Sequence, residues 1–356
     1  MIFILIDDIH AGMTLAKDVR IYNHEINDID LLKSGLKLTN SFIDRLKKLG
    51  SVGLYIADEN DEIKKPDQII DSSLRNEAIY ELAKLFFSVD KNPNRVDDNS
   101  LSSVNQISTK IVNNILHNSK YMVNIIDLKM YDDYTYNHSL SVAVLATAIG
   151  ISLELDDNSL YELSLCALLH DIGKTEVPIN LIDKPSKLTS DEFDIIKAHS
   201  KKGGRYVIKN KLVTENIYNG IVCHHEKFDG TGYPFGIKGK DIPLFGRIIA
   251  VADVYDALTS NRPYRSPASP SEAIEYIMGG NDIMFDPDIV SAFLRKIAPY
   301  PVNDCVKLSN GRVGVVTKVY SDNPLRPEVK LIGEDNVYYN LYEDYSLFNI
   351  VVLQSL

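Results

Sequence analysis

The chain has 356 residues, enough for two or three domains, and its 45% apolar and 24% charged residues describe a folded globular protein, not a disordered one. Asp and Glu outnumber Lys and Arg by 49 to 38. The resulting net charge of −11 repels duplex nucleic acid and anionic lipid, so an anionic small-molecule substrate would need local positive charge from metal ions or clustered cations.

The N-terminal MIFILIDDIH has no basic leader and no cleavage signal, and no apolar run reaches about 18 residues, so a cytoplasmic protein without membrane contact is expected. Residues 2–6 read as a strand and Gly12 as a turn. Thr39-Asn40-Ser41 would cap a helix over residues 42–49, stopped by Gly50. Residues 52–56 are apolar enough for a strand, and the charged segment 57–68 with Pro66 reads as a linker. These make a small α+β unit over residues 1–66. Residues 67–119 hold linking helices, with Ile79, Leu82 and Phe86 on one face and Ile107, Ile111, Val112 and Ile115 on another. A helical domain is expected over 120–301. Residues 139–151 are apolar nearly all round, as in a buried helix, and 160–169 follow the same style. Thr189 with Glu192 forms a capping box for a helix carrying His199. Pro243, Pro263, Pro267 and Pro270 punctuate later helices. Beyond Pro301 the texture changes to strand, turn, strand over 306–308, 309–311 and 313–319, with further strands at 329–332 and 348–353. A small β subdomain is therefore expected over 302–356.

Five of the eight histidines fall between His138 and His225: these two with His170, His199 and His224. Asp171 follows His170, which closes the apolar stretch LSLCALLH, and Asp253 sits inside IIAVADVYDAL. A charged Asp in such surroundings is costly unless paired or metal-bound. Taken singly, each residue reads most simply as a satisfied core or salt-bridge group. Imidazoles and carboxylates converging from several helices instead build Zn, Fe or Mn centres in bundle cores. On a continuing helix the side chains of His224 and His225 would diverge by about 100°. They would then serve two ions about 3.5–4 Å apart, or one ion and a substrate. His10, His24 and His117 receive no function. Cys166, Cys223 and Cys305 form no CxxC pair and no disulfide framework; the first two read as core residues.

The run HHEKFDGTGYP from His224 to Pro234, with HDIGK at 170–174 and ADVYDALTSNRPYR at 252–265, resembles the HD-GYP family of the HD phosphohydrolase superfamily. The resemblance covers about residues 120–298. It implies a mainly α fold, an all-helical HD-type bundle between the two small flanking units, and a cyclic di-GMP phosphodiesterase with two or three metal ions, usually iron or manganese. By this resemblance His138, His170, Asp171 and Asp253 surround the first metal, Asp171 bridges to the second, and His199, His224 and His225 complete it. Asp171 and Lys174 are the expected catalytic residues, the lysine bringing a cation to a phosphate. Tyr233, Arg262 and Arg265 are expected to bind substrate, since arginine forks suit phosphates and guanine edges. Gly230 and Gly232 permit a tight loop. Glu226 and Asp229 are expected to fix that loop, and Asp256 either supports a ligand or forms an ordinary salt bridge. Members with a third metal carry a Glu where this chain has Tyr134, so two divalent ions are expected, with Asp132 or Asp133 as substitutes only from a shifted backbone. The expected reaction is hydrolysis of cyclic di-GMP to linear pGpG and GMP, with a small-molecule cyclic dinucleotide as partner and a homodimer allowed. Alternatives are another cyclic dinucleotide such as cyclic GMP-AMP, a non-catalytic cyclic di-GMP sensor, or a scaffold acting through its flanking units.

Overall fold

The computed structural model describes residues 2–6, 9–16, 19–21, 29–48, 53–57, 70, 72–91, 97–117, 134–182, 184, 186–260, 267–334 and 336–355. The chain divides into two compact units. One joins Met1–Gln68 to Val302–Val319 and Arg326–Leu356; the other holds Ile69–Pro301 and Tyr320–Leu325.

In the first unit β1 (Ile2–Leu5) pairs antiparallel with β4 (Gly53–Ile56), and β2 (Val19–Ile21) with β3 (Ile29–Leu32). Helix α1 (Asn40–Lys48) begins two residues before the expected Phe42, with the Phe42 N–H donating to Thr39 Oγ1 at 3.4 Å. It buries Ile43 and Leu46 against Leu15, Leu38 and Leu54. The expected stop at Gly50 and most of the 57–68 linker lie outside the described residues. Strands β5 (Cys305–Leu308), β6 (Val313–Lys318), β7 (Glu328–Leu331), β8 (Tyr338–Asn340) and β9 (Val352–Ser355) form one antiparallel sheet in the order β8-β7-β6-β5-β9. Both ends of the chain contribute to this unit. The Cys305 N–H donates to the buried Tyr55 hydroxyl at 2.6 Å, and Tyr55, Cys305, Ala16, Val313, Val315 and Ile332 share one apolar cluster. Residues 348–351 are not strand, contrary to expectation. The Asp344 carboxylate accepts from the Ser346 N–H, closing a 3-10 turn over Tyr345–Leu347, and the Ile350 N–H returns to the Leu347 carbonyl, so pairing starts only at Val352.

The second unit is helical: α2 (Ser72–Lys91), α3 (Asp98–His117), α4 (Tyr134–Ser152), α5 (Asp157–Leu169), α6 (Ile179–Ile182), α7 (Ser190–Val207), α8 (Glu215–Cys223), α9 (Leu244–Thr259), α10 (Pro270–Gly279) and α11 (Pro287–Leu294). Helix α4 is central and packs against α2, α3, α5, α9 and α11. Residues 138–150 are buried on every side, which explains their lack of a polar face, and Thr147 satisfies its hydroxyl on the Ala143 carbonyl at 2.7 Å. Asp156 caps α5, and the Thr189–Glu192 capping box opens α7 as expected. No helix among the described residues is long and apolar enough to cross a membrane.

Asp286 caps α11 through the Asp288 N–H at 2.9 Å and also receives Arg247 and Lys240, tying α9 and α11 to the loop before α9. Burial pushes this carboxyl up, but Arg247, the Asp288 N–H and Lys240 outweigh it and hold it below the usual range. A carboxyl depressed in the folded state stabilises above its unfolded pKa of about 4 and loses that stabilisation as pH falls through the folded value. Asp286→Asn is expected to lower stability at about pH 6 by about 3 kcal/mol, because Arg247 loses its buried partner, and to flatten the loss of stability between about pH 6 and pH 3. Urea unfolding followed by far-UV circular dichroism at both pH values checks this; an unchanged pH slope would refute it.

Candidate metal centre

Five helices deliver the donors to one point. His138 comes from the N-terminal half of α4, His170 and Asp171 from the end of α5, His199 from α7, His224 and His225 from the end of α8, and Asp253 from α9. Three groups each have donor atoms within 4.8 Å of one another: Asp171, His199, His224 and His225; His138, His170 and Asp171; and His170, His224 and Asp253. Asp171 is central. Its Oδ2 lies 3.4 Å from His170 Nε2 and 3.7 Å from His138 Nε2, and its Oδ1 lies 3.4 Å from His199 Nε2. His138 Nε2 also lies 3.1 Å from Asp253 Oδ1. Helices α5 and α8 both end here, and the partial negative charge of a helix C-terminus favours a cation.

The hydrogen bonds fix which ring nitrogen faces inward. His170, His199 and His224 each point Nδ1 at the backbone carbonyl three residues earlier, Ala167, Ile196 and Ile221, at 2.8, 2.6 and 2.7 Å. A proton on each Nδ1 leaves Nε2 as a bare lone pair. His199 Nε2 and His224 Nε2 then face each other at 3.4 Å, a repulsive contact between lone pairs and also an edge length of a polyhedron with metal–nitrogen bonds of about 2.1 Å. His170 Nε2 and Asp171 Oδ1 are buried with no hydrogen-bond partner among the described residues. Orphaned buried polar atoms of this kind fit a divalent cation.

Electrostatics point the same way. Burial, then the neighbouring imidazoles, holds His224 well below the ordinary histidine value, and burial with His199 pushes His225 down to about 3. Both are neutral near pH 7, as ligation requires. Burial pushes Asp171 up, yet Lys174 and then His170 outweigh it and keep the carboxylate ionised. Burial likewise lowers His138, but Asp253 and Asp256 outweigh it and lift the ring to about 9, so a divalent cation there would displace a proton.

The supporting residues divide clearly. Asp256, buried and one turn beyond Asp253, binds His138 Nδ1 at 2.7 Å from the side away from the cluster. Asp256→Ala should weaken metal retention and any metal-dependent rate by about 10–100-fold with the other donors intact. A metal titration of the purified variant checks this, and unchanged affinity would show the bond to be a simple packing contact. Lys174 Nζ binds Asp171 Oδ2 at 2.6 Å and remains about a third exposed, on the open side of the cluster. Glu226, buried, accepts from the Phe235 and Gly236 N–H groups at 2.7 and 3.1 Å, so it does shape the following loop. Asp229 accepts from the Thr231 N–H and hydroxyl at 2.8 and 2.7 Å. Gly230 has φ +86°, and a Cβ on Gly232 would strike the backbone of Glu226 and Lys227, so this glycine serves loop closure. The Tyr233 ring stacks on His225, centroids 4.7 Å apart and 29° between planes.

One expectation is corrected. Helix α8 ends at Cys223, so His224 and His225 lie in a turn and do not diverge as on a helix. Their ring centroids are 4.0 Å apart, and both join His199 and Asp171 in one donor group. Tyr134 opens α4, while Asp132, Asp133, Arg262 and Arg265 lie outside the described residues. The sequence reading also passed over Gly173. A Cβ there would overlap the His199 carbonyl oxygen and crowd Gly203 N, so this glycine lets the 172–176 turn lie flat against α7. Its position inside HDIGK, between Asp171 and Lys174, was the available signal.

Residues 120–289 match the HD domain family, and residues 305–344 match the KOW domain associated with HD domain. A cyclic di-GMP phosphodiesterase of Pseudomonas aeruginosa is 40% identical over 217 residues, which is 61% of this chain and 52% of that protein. A 3'3'-cGAMP-specific phosphodiesterase of Vibrio cholerae is 37% identical over 163 residues, 46% of this chain and 37% of that protein. The chain thus spans about half the length, or less, of these curated relatives. A solved HDG"Y"P protein of Bdellovibrio bacteriovorus shares the fold, with a TM-score of 0.51 at 20% identity over 82% of this chain and 97% of that one. The HHExxDGxGYP run on the loop after α8 and HDIGK at the centre of the cluster both lie within residues 120–289, the stretch that matches the HD domain family.

Proposed function

We propose that the HD domain hydrolyses cyclic di-GMP, opening the ring to linear pGpG and cutting that product again to GMP. His138, His170, Asp171, His199, His224, His225 and Asp253 would hold two divalent ions. The observation that carries this reading is Asp171, a buried carboxylate with both oxygens turned to imidazole nitrogens and one of them without a hydrogen-bond partner among the described residues. Bound there, the ions would supply a nucleophilic water at neutral pH and neutralise charge on the phosphoryl oxygens. The nitrogen and oxygen donors, without sulfur, suit iron or manganese. A third ion is not part of the reading, because Tyr134 stands in place of the family's glutamate.

The remaining work falls to side chains. Lys174, held by Asp171 on the open side, would meet a phosphate oxygen. Tyr233, fixed against His225, would offer its ring to the substrate. Arg262 and Arg265 would place guanidinium forks on a phosphate or a guanine edge. Arg262→Ala is accordingly expected to raise KM for cyclic di-GMP by roughly tenfold or more with a small change in kcat, measured by steady-state kinetics. An unaltered KM would remove Arg262 from the binding set.

The test is turnover by protein purified without oxygen, given cyclic di-GMP or cyclic GMP-AMP with and without manganese or ferrous iron, and products separated by chromatography. Metal-dependent loss of cyclic di-GMP supports the reading, and the product peak tells pGpG from GMP. The 37% identical relative named for 3'3'-cGAMP supports a second reading, in which cyclic GMP-AMP is the better substrate. Binding without turnover of either nucleotide would favour a sensor.

A further inference from the structure

Helix α7 carries a second pattern beside His199. Phe193, Lys197 and Lys201 recur at every fourth residue and form one stripe along the helix. The stripe meets the loop after α8. Phe193 approaches Tyr233 edge to face, centroids 6.2 Å apart and 81° between planes, and Tyr233 in turn stacks on His225. Lys197 Nζ stands 4.6 Å from the Phe193 ring and 5.9 Å from the Tyr233 ring, and Lys201 Nζ stands 5.0 Å from the Phe235 ring. Phe193 is 44% exposed and Phe235 58% exposed. Rings exposed to this degree add little to the core. Lysines in a row also run against the sign of a chain whose net charge is −11. Lys197 also pairs with Asp194 at 2.8 Å, one turn back on the same helix. An aromatic face with an ammonium beside it matches a purine nucleotide, the ring taking the base and the cation the phosphate.

We infer that Phe193 and Lys197 form a second recognition site, in which Phe193 stacks the purine remote from the scissile phosphate and Lys197 faces the phosphate of that same half. The inference rests on the cyclic dinucleotide reading above and sharpens it. The donor cluster would grip one phosphate, and the α7 stripe would select ligands that bring a second nucleotide with them. A mononucleotide would reach only one of the two places.

The test compares the metal-loaded full chain with Phe193→Ala, Phe193→Trp and Lys197→Ala. Each is assayed on cyclic di-GMP and on bis(4-nitrophenyl) phosphate, a diester with no purine, and cyclic di-GMP binding is measured by calorimetry. Phe193→Ala should raise both KM and Kd for cyclic di-GMP about tenfold, with kcat changed much less, and Phe193→Trp should restore them. The preference for cyclic di-GMP over the base-free diester should fall by about the same factor. Lys197→Ala should weaken binding in the same direction. Equal loss on both substrates, or failure of Phe193→Trp to rescue, would mean a structural role and overturn the inference. Unchanged KM and Kd in Phe193→Ala would overturn it while leaving the phosphodiesterase reading intact. A wild-type chain that binds but does not turn over the nucleotide fails that reading alone, and the Kd ratio then decides the inference. Neither binding nor turnover by the wild type would overturn both.

Discussion

Asp171→Ala is expected to lower kcat for cyclic di-GMP by at least about a thousandfold and to cut bound metal to less than half of the wild-type content. Asp171 places oxygens 3.4 Å from both His170 and His199, so its loss removes the shared anion between the donor groups. Losing about 4 kcal/mol of charge stabilisation at a reacting phosphate corresponds to that factor. The fold should survive. The surrounding imidazoles His199, His224 and His225 are held low and so are neutral without the carboxylate, and Lys174, already a third exposed, can turn to water. Metal analysis and far-UV circular dichroism on the same preparation separate loss of the site from loss of the fold. Asp171→Asn, which keeps the shape and removes the charge, should behave like the alanine variant. Wild-type rate with wild-type metal in either variant would sink the site assignment.

Gly173→Ala is expected to act through geometry alone. The added methyl would overlap the His199 carbonyl and press on Gly203, and both belong to the rigid backbone of α7. The 172–176 turn must lift away, carrying Asp171 and Lys174 with it. Overpacking of this kind destabilises by about 1–3 kcal/mol. A displacement near 1 Å at the reacting groups reduces turnover by about a hundredfold. Urea unfolding and kcat measured in parallel check the claim. A stable variant with normal activity would mean that the turn can shift without moving Asp171.

The helical domain and the donor set were legible because their signals are local. Residues 138–150 lack a polar face, Thr189 and Glu192 sit at capping distance, and the histidines cluster in sequence as they do in space. Other features depend on packing that periodicity does not encode. The end of α8 at Cys223 brings the His224 and His225 rings side by side, and nothing in the VCHHE run marks that end. Strands β2, β3 and β8 are only three or four residues long, too short for a period-two pattern to show, so pairing makes them strands. Gly173 looks interchangeable with alanine until the α7 backbone is placed against it.

The bond from the Cys305 N–H to the Tyr55 hydroxyl joins residues 250 positions apart, across the whole helical domain. At a synthesis rate of about 5–20 residues per second, Tyr55 leaves the ribosome on the order of 10–50 s before its partner exists. During that interval the helical domain can complete its own core, while the apolar cluster around Tyr55 and Ala16 has no covering strands. The flanking unit therefore closes after the helical domain, and until then the segment around Tyr55 stays open to a chaperone or a protease.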